Sequence, residues 1–372
     1  MRKFIPVSEP QITDLEKFNV NKVLDSGWIS STGEFVDKFE KEWAIISGTD
    51  KCLSVANGTV ALHLILAALG IGPNDEVIVP TLTFIASVNA IKYVGASPVF
   101  CDVNLETWCM EVDEVKRLFT EKTRAIICVH LYGNPCDLSN LRKFCDDRGI
   151  FLIEDAAEAP FASINDKSIG SFGDASSFSF YGNKIISSGE GGAVTTSNLA
   201  LYNKMKLLRS QGMDPNRRYF FPEVGFNYRL TNLQCAILCA QITRKEEILY
   251  RRREIFDLYD SFFSRINFVK KQSILQNAKQ SPWLYTILVS EELEDNLQNI
   301  SNLLFSKGIE TRPIFIPVHS LPPYESVTSE TFPNSTKIAQ RGISLPTSNN
   351  LSNSEIQYVS NNLIEVCKLF LN

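Results

Sequence analysis

Asp155 and Lys184 are the two residues whose types and spacing most directly suggest chemistry. Asp155 closes the apolar run Ile150-Phe-Leu-Ile-Glu-Asp155. A carboxylate there projects into a strand-end cleft, where burial is costly without a cationic partner. Lys184 follows 29 residues later in Ser179-Phe-Tyr-Gly-Asn-Lys-Ile-Ile-Ser-Ser-Gly-Glu-Gly-Gly192, whose Ser and Gly content marks a tight loop between strands. One lysine near one strand-end carboxylate suits pyridoxal 5′-phosphate. The amine forms a Schiff base, and the carboxylate keeps the pyridine nitrogen protonated so that the ring accepts electrons. Taken singly, Asp155 reads as a cap and Lys184 as a solvated loop lysine. The phosphate needs a seat, and Val55-Ala-Asn-Gly-Thr-Val-Ala-Leu62 offers one: a strand-like run, a Gly turn, then a helix whose free amides face an anion. Gly58 permits close backbone approach, Thr59 adds a hydroxyl, and Ser179, five residues before Lys184, is placed to add another. Phe84, just past a strand end in Pro80-Thr-Leu-Thr-Phe84, could cover the ring, though with 24 Phe in the chain a core role competes. The combination is more specific than any member.

These residues need a frame, and the pattern supplies it. Glu76-Val-Ile-Val-Pro80, Ser97-Pro-Val-Phe-Cys-Asp102, Arg124-Ala-Ile-Ile-Cys-Val129 and the run ending at Asp155 are short, β-branched and nearly all apolar. Strands buried on both faces of a parallel sheet read this way. Helices are expected between them over residues 59–69, 85–93, 113–119 and 138–148, the last with Asp137 as N-cap and Gly149 as stop. Residues 174–180 and 192–196 read as further strands. The fold class is therefore α/β, a mainly parallel sheet sandwiched by helices, with ligands gathered at the carboxyl ends of its strands. Thr231 and Gln234 form a capping box opening helical material that runs to about Phe263. Its charged middle, residues 244–254, reads as a long exposed helix. A strand over 284–289, a helix over 293–307, a Pro-punctuated stretch over 312–323 and a helix capped by Ser352 and Glu355 follow. The expected division is a large domain over 1–240, a bridging helix over 241–263 and a small α+β C-terminal domain over 264–372. The first ~15 residues are expected to pack on the small domain.

Composition narrows the function. The 372 residues carry 37 Lys+Arg against 42 Asp+Glu, a net −5, which leaves no positive excess for nucleic acid or an anionic membrane. Hydrophobic residues are 44% and charged residues 21%, ordinary globular usage. The longest apolar run, from Val60 to Leu69, is broken by His63 and falls short of the ~18 residues a membrane span needs. The start, Met1-Arg-Lys-Phe-Ile-Pro-Val7, has no secretory apolar segment, and nine scattered cysteines without a CxxC pair fit reduced thiols in a cytoplasm. Cys235 and Cys239 are four apart, but no His or carboxylate completes a metal set, and three His in all argue against a His-rich centre. No Gly-x-Gly-x-x-Gly follows a first strand, which sets aside a dinucleotide-dependent oxidoreductase.

Gly58-Thr-Val-Ala-Leu-His63, Gly72-Pro-Asn-Asp-Glu-Val-Ile-Val-Pro80, Glu154-Asp-Ala-Ala-Glu158, Ser179 with Lys184, Gly189-Glu-Gly-Gly192 and Gly225-Phe-Asn-Tyr-Arg229 resemble, in order, the DegT/DnrJ/EryC1/StrS family. These are fold-type-I sugar aminotransferases, and the resemblance runs from about residue 5 to the C-terminus. It implies pyridoxal 5′-phosphate, with pyridoxamine 5′-phosphate carrying the amino group between two half-reactions. Lys184 is then the Schiff-base lysine, Asp155 the partner of the pyridine nitrogen, and Phe84 the stacking ring. Glu158 would lie near the phenolic oxygen, where many relatives have Gln, and Ser179 with Gly58-Thr59 would hold phosphate. Asn227 would reach the cofactor of a neighbouring subunit, making a homodimer obligatory. A lysine at 184, where some members carry His and dehydrate sugars, argues for transamination. Trp28-Ile-Ser-Ser-Thr-Gly-Glu-Phe-Val-Asp-Lys-Phe-Glu40 and Thr311-Arg-Pro-Ile-Phe-Ile-Pro-Val-His319 most resemble the branch that aminates C4 of GDP-4-keto-6-deoxy-D-mannose with L-glutamate, forming GDP-perosamine. Arg229, Arg312 and His319 are the candidate substrate contacts. UDP- or dTDP-linked 4-ketosugars and 3-ketosugars are the alternatives, and a non-catalytic nucleotide-sugar-binding protein is the alternative of another class. Lys184 must be neutral to act as a base, so burial and nearby positive charge are expected to lower its pKa from ~10.4.

Overall fold

The computed structural model describes residues 4–371, so Met1, Arg2, Lys3 and Asn372 lie outside the described residues. Seven strands form the main sheet: β1 (Lys51–Val55), β2 (Glu76–Pro80), β3 (Ser97–Cys101), β4 (Thr123–Val129), β5 (Phe151–Asp155), β6 (Ala175–Ser179) and β7 (Gly192–Thr196). Their order is β1-β7-β6-β5-β4-β2-β3. The pairs β2·β3, β2·β4, β4·β5 and β5·β6 are parallel, whereas β7 runs antiparallel to both β6 and β1. Six strands thus point one way, and all carry their carboxyl ends to one edge. The four predicted apolar strands fall where expected, within one residue at each end.

Before the sheet come α1 (Asp14–Ser26) and α2 (Glu34–Ser47), which the pattern reading passed over. Thr13 and Glu16 form a capping box at the first, and left-handed Gly27 and Gly48 end the two, so the same local signals marked them. Helices α3 (Gly58–Ala68), α4 (Ala86–Tyr93), α5 (Val112–Leu118), α6 (Leu138–Arg148) and α7 (Leu199–Arg209) connect or flank the strands. Asp137 caps α6 and Gly149 stops it, as expected.

The run from Thr231 to Phe263 is two helices, α8 (Asn232–Thr243) and α9 (Lys245–Phe263), interrupted at Arg244. Arg244 turns its guanidinium back onto α1, donating to Glu16 at 2.9 Å and Thr13 at 3.2 Å. Beyond α9, β8 (Val269–Lys271), β9 (Tyr285–Val289), β10 (Arg312–Pro313) and β11 (Gly342–Leu345) form an antiparallel sheet in the order β8-β9-β11-β10. The expected helix over 293–307 opens as a 3₁₀ turn (Glu291–Asn296) before α10 (Leu297–Ser306). Four acidic side chains crowd that turn, and no side chain caps α10. Helices α11 (Pro333–Arg341) and α12 (Asn353–Lys368) complete the chain, the latter with the predicted Ser352–Glu355 box.

The buried apolar residues form two clusters. The larger surrounds the main sheet and includes Trp43, Phe178, Phe180 and Trp283; the smaller gathers Ile255, Tyr259, Ile343 and Leu363 under the second sheet. Ile5 belongs to the smaller cluster and pairs with Ile309. Residues 281–284 and 314–318 reach back from the C-terminal part into the larger cluster, which carries Trp283 and Phe315 to the main sheet's edge.

Candidate active site

The carboxyl ends of the strands surround a cavity of about 520 Å³. Five of the seven strands contribute to it at their carboxyl ends. Asn57, Gly58 and Thr59 follow β1, Phe84 follows β2, Tyr132 follows β4, Asp155 ends β5 with Glu158 just beyond it, and Ser179 ends β6 with Lys184 just beyond it. Trp283, Arg312 and Phe315 roof it from the C-terminal part. The positions expected to hold the pyridine nitrogen, phenolic oxygen, phosphate and Schiff base therefore share one enclosure.

Asp155 is held as an acceptor. Its Oδ2 accepts from Ser87 Oγ at 2.7 Å, and its Oδ1 from the Ala157 N–H at 3.2 Å and Ser177 Oγ at 3.4 Å. Its neighbour Glu154 points to the other face of β5 and takes N–H groups from Gly170, Phe172 and Gly173 at 2.7–2.9 Å. Burial pushes the Glu154 carboxyl up, but contact with His130 and those amides holds it below its usual value. Alternation along one strand thus separates an acid that shapes a loop from one that lines the cavity.

Glu158 accepts the Tyr132 N–H at 2.7 Å. Burial raises its pKa to about 7, with Asp155 adding to the rise and Lys184 and that amide opposing it. Burial lowers the pKa of Lys184, while the carboxylates of Glu158 and Asp155 pull it back up. The expected positive neighbour does not act on Lys184. The charges that do are negative, so burial alone drives the amine toward neutrality. Lys184 Nζ sits 3.9 Å from the centre of the Trp283 ring.

The turn after β1 fits an anion. Asn57 Oδ1 accepts the Val60 N–H at 3.0 Å, leaving the earlier amides of α3 at the helix start, where no intrahelical acceptor serves them. A Cβ on Gly58 would lie 3.0 Å from the Ser179 Cβ, and one on Gly192 would lie 2.5 Å from the Asn57 carbonyl carbon. The two glycines therefore let three segments converge on one small pocket. Asn183 Oδ1, also lining the cavity, is buried without a hydrogen-bond partner.

The remaining candidates are more dispersed. Phe84 is 55% exposed at the rim, 5.7 Å from Phe315. Arg312 lines the cavity and lies 3.4 Å from Glu310. His319 is held by Thr81 Oγ1 at 2.7 Å and packs on Phe332, outside the lining. Asn227 and Arg229 also lie outside it; Asn227 Oδ1 accepts from Arg229 at 3.2 Å. Sequence reasoning missed Ser87, Tyr132, Trp283 and Phe315. Tyr132, followed by Gly133 directly after a strand end, carried a local sign, and its backbone is left-handed at φ 51°. Trp283 and Phe315 carried none, because their place depends on how the C-terminal part folds back. Among the described residues no cluster of His, Cys, Asp and Glu could hold a metal ion, and no helix is long and apolar enough to cross a membrane.

Comparison with known proteins shows what the whole chain is similar to. A family model described as the DegT/DnrJ/EryC1/StrS aminotransferase family matches residues 10–364. GDP-perosamine synthase of Escherichia coli O157:H7 is 44% identical over 98% of both chains. GDP-perosamine synthase of Vibrio cholerae is 42% identical over 96% of this chain and 97% of its own. Among solved structures, the PLP form of Spr1654 from Streptococcus pneumoniae superposes with a TM-score of 0.94 at 28% identity, covering 99% of this chain and 100% of that one.

Proposed function

The chain belongs to the DegT/DnrJ/EryC1/StrS aminotransferase family, and from that premise we propose that it transfers the amino group of L-glutamate to C4 of GDP-4-keto-6-deoxy-D-mannose, forming GDP-perosamine. One observation carries the reading. A buried lysine amine faces two carboxylates inside a cavity that opens beside a helix N-terminus. That arrangement fits pyridoxal 5′-phosphate. The α3 start, Thr59 and Ser179 would hold the phosphate, Asp155 the pyridine nitrogen, Glu158 the phenolic edge and Phe84 the ring face. Bound there, the cofactor supplies an aldehyde to carry nitrogen and a ring to take up an electron pair.

The chain's own residues handle the protons. Lys184 Nζ, driven toward its neutral form by burial, takes the proton from the donor carbon in the first half of the cycle and gives one to C4 of the sugar in the second. Ser87 and the Ala157 amide keep Asp155 aimed into the cavity. Tyr132 keeps Glu158 aimed there through its N–H. With its pKa near 7, Glu158 can take or give a proton at working pH. Arg312, in the lining, is the substrate contact this geometry favours over Arg229 and His319. Asn227 would complete the site of the other subunit in a homodimer, a reading supported by its place outside its own cavity.

The test is incubation of cofactor-loaded protein with L-glutamate and the GDP-, UDP- and dTDP-linked 4-keto-6-deoxysugars, with product identification by NMR. GDP-perosamine as the main product is expected. Amination of the UDP or dTDP sugar alone would replace the substrate assignment, and formation of no amino sugar would overturn the function.

A further inference from the structure

Lys184 has a partner that the reading above leaves without a role. Trp283 is 3% exposed, and its ring lies under the lysine amine at 3.9 Å. Its indole N–H donates to the carbonyl of Asn183 at 2.9 Å, the peptide that carries Lys184. The ring stacks on Tyr132 at 5.8 Å and 17°, and Tyr132 in turn stacks on Phe315 at 5.7 Å and 12°. The Trp283 backbone is held just as firmly. Arg252, 2% exposed on α9, donates to the Trp283 carbonyl at 2.7 Å and the Pro282 carbonyl at 3.5 Å. Among the described residues no charged neighbour offsets the burial of that guanidinium, whose pKa falls to about 10. Burying an unpaired cation is costly, and its visible return is the placement of these two carbonyls.

We propose that Trp283 is the positioning residue of Lys184: its ring face seats the lysine amine, its indole N–H fixes the peptide bearing the lysine, and Arg252 fixes Trp283. A ring face attracts the charged amine and aligns it, so the seat holds Nζ in place whenever it is not covalently engaged. Asp155 and Glu158 are the charges that act on the amine. Glu190 and Arg312 line the same cavity, and Glu9 and Arg252 line a small cleft that Lys184 also borders. None of these groups is altered by changing Trp283.

The proposal takes Lys184 as the reactive amine, as above, but its test does not need transamination. Cofactor-free parent, Trp283→Phe and Trp283→Leu proteins are labelled with an amine-acylating reagent across a pH series, and Lys184 occupancy is read by peptide mass spectrometry. Losing the ring face removes support for the charged amine. The labelling midpoint should therefore fall by about half to one pH unit in Trp283→Leu and by less in Trp283→Phe. In loaded enzyme, kcat should drop about 10-fold or more with KM changed less than about threefold, the pattern of lost alignment. A midpoint that stays put or rises in the variants overturns the proposal. Trp283→Phe keeps a ring in the stack and carries the test alone should Trp283→Leu fail to fold. Shifted labelling in a protein that aminates no sugar would retain the seat while removing the proposed function.

Discussion

At the scale of the residue, burial moves two groups in opposite directions: the Lys184 amine toward neutral and the Glu158 carboxyl toward protonated. The Glu158 pKa of about 7, against an ordinary 4.5, has a consequence for stability. The folded carboxyl keeps its proton to higher pH than the unfolded one. Its contribution is complete below pH 4.5 and is lost as pH rises through 7. Glu158→Gln cannot ionise, so cofactor-free parent protein should lose stability relative to this variant between pH 5 and 8, on the order of 2 kcal/mol, read by denaturant melts. Parallel pH curves would contradict the shift. Lys184→Ala should fold normally, bind cofactor without a covalent link and lose turnover by several orders of magnitude, checked by absorption spectra and product assay. Asp155 and Lys184 were legible from sequence because a strand-end carboxylate and a lysine in a Ser/Gly loop are local patterns. The ring under Lys184 was not, since Trp283 lies 99 positions away and reads as one more core aromatic.

At the scale of the element, the turn from β1 into α3 is the clearest link between local sequence and site. Asn57 caps the helix it precedes, so the proposed anion seat could be placed before any tertiary information. Its closeness to β7 could not, because that depends on an antiparallel strand inserted between β1 and β6. Gly192→Ala tests this contact. The new Cβ would fall 2.5 Å from the Asn57 backbone, so the turn must shift, and pyridoxal 5′-phosphate affinity should weaken at least about 10-fold by equilibrium titration. Unchanged affinity would remove the turn from the phosphate seat. The break at Arg244 shows a different limit. Propensity favours one continuous helix, but a buried Glu16 on α1 draws the guanidinium inward. Removing one partner of such a pair strands the other, so Arg244→Ala should cost about 3 kcal/mol in chemical denaturation. A loss under about 0.5 kcal/mol would mean the pair is solvated.

At the scale of the whole molecule, the C-terminal part closes the site by lending Trp283, Arg312 and Phe315 to strand ends formed by residues 51–179. Pattern reading expected two parts but carried no sign of how they dock, which rests on single rings set in a distant cavity. The homodimer came from family resemblance, since a contact between chains leaves no mark on one chain's periodicity. Subunit mixing tests it. Lys184→Ala and Asn227→Ala proteins, each weakly active alone, should on exchange regain about a quarter of parent activity, because only the mixed dimer assembles one intact site. No gain would place Asn227 outside the partner's site. All of these readings stand on the covalent role of one amine. Borohydride reduction of cofactor-loaded protein, followed by peptide mapping, should find the pyridoxyl group on the peptide containing Lys184 and nowhere else. Its absence there, or its appearance on another lysine, would contradict the account at its centre.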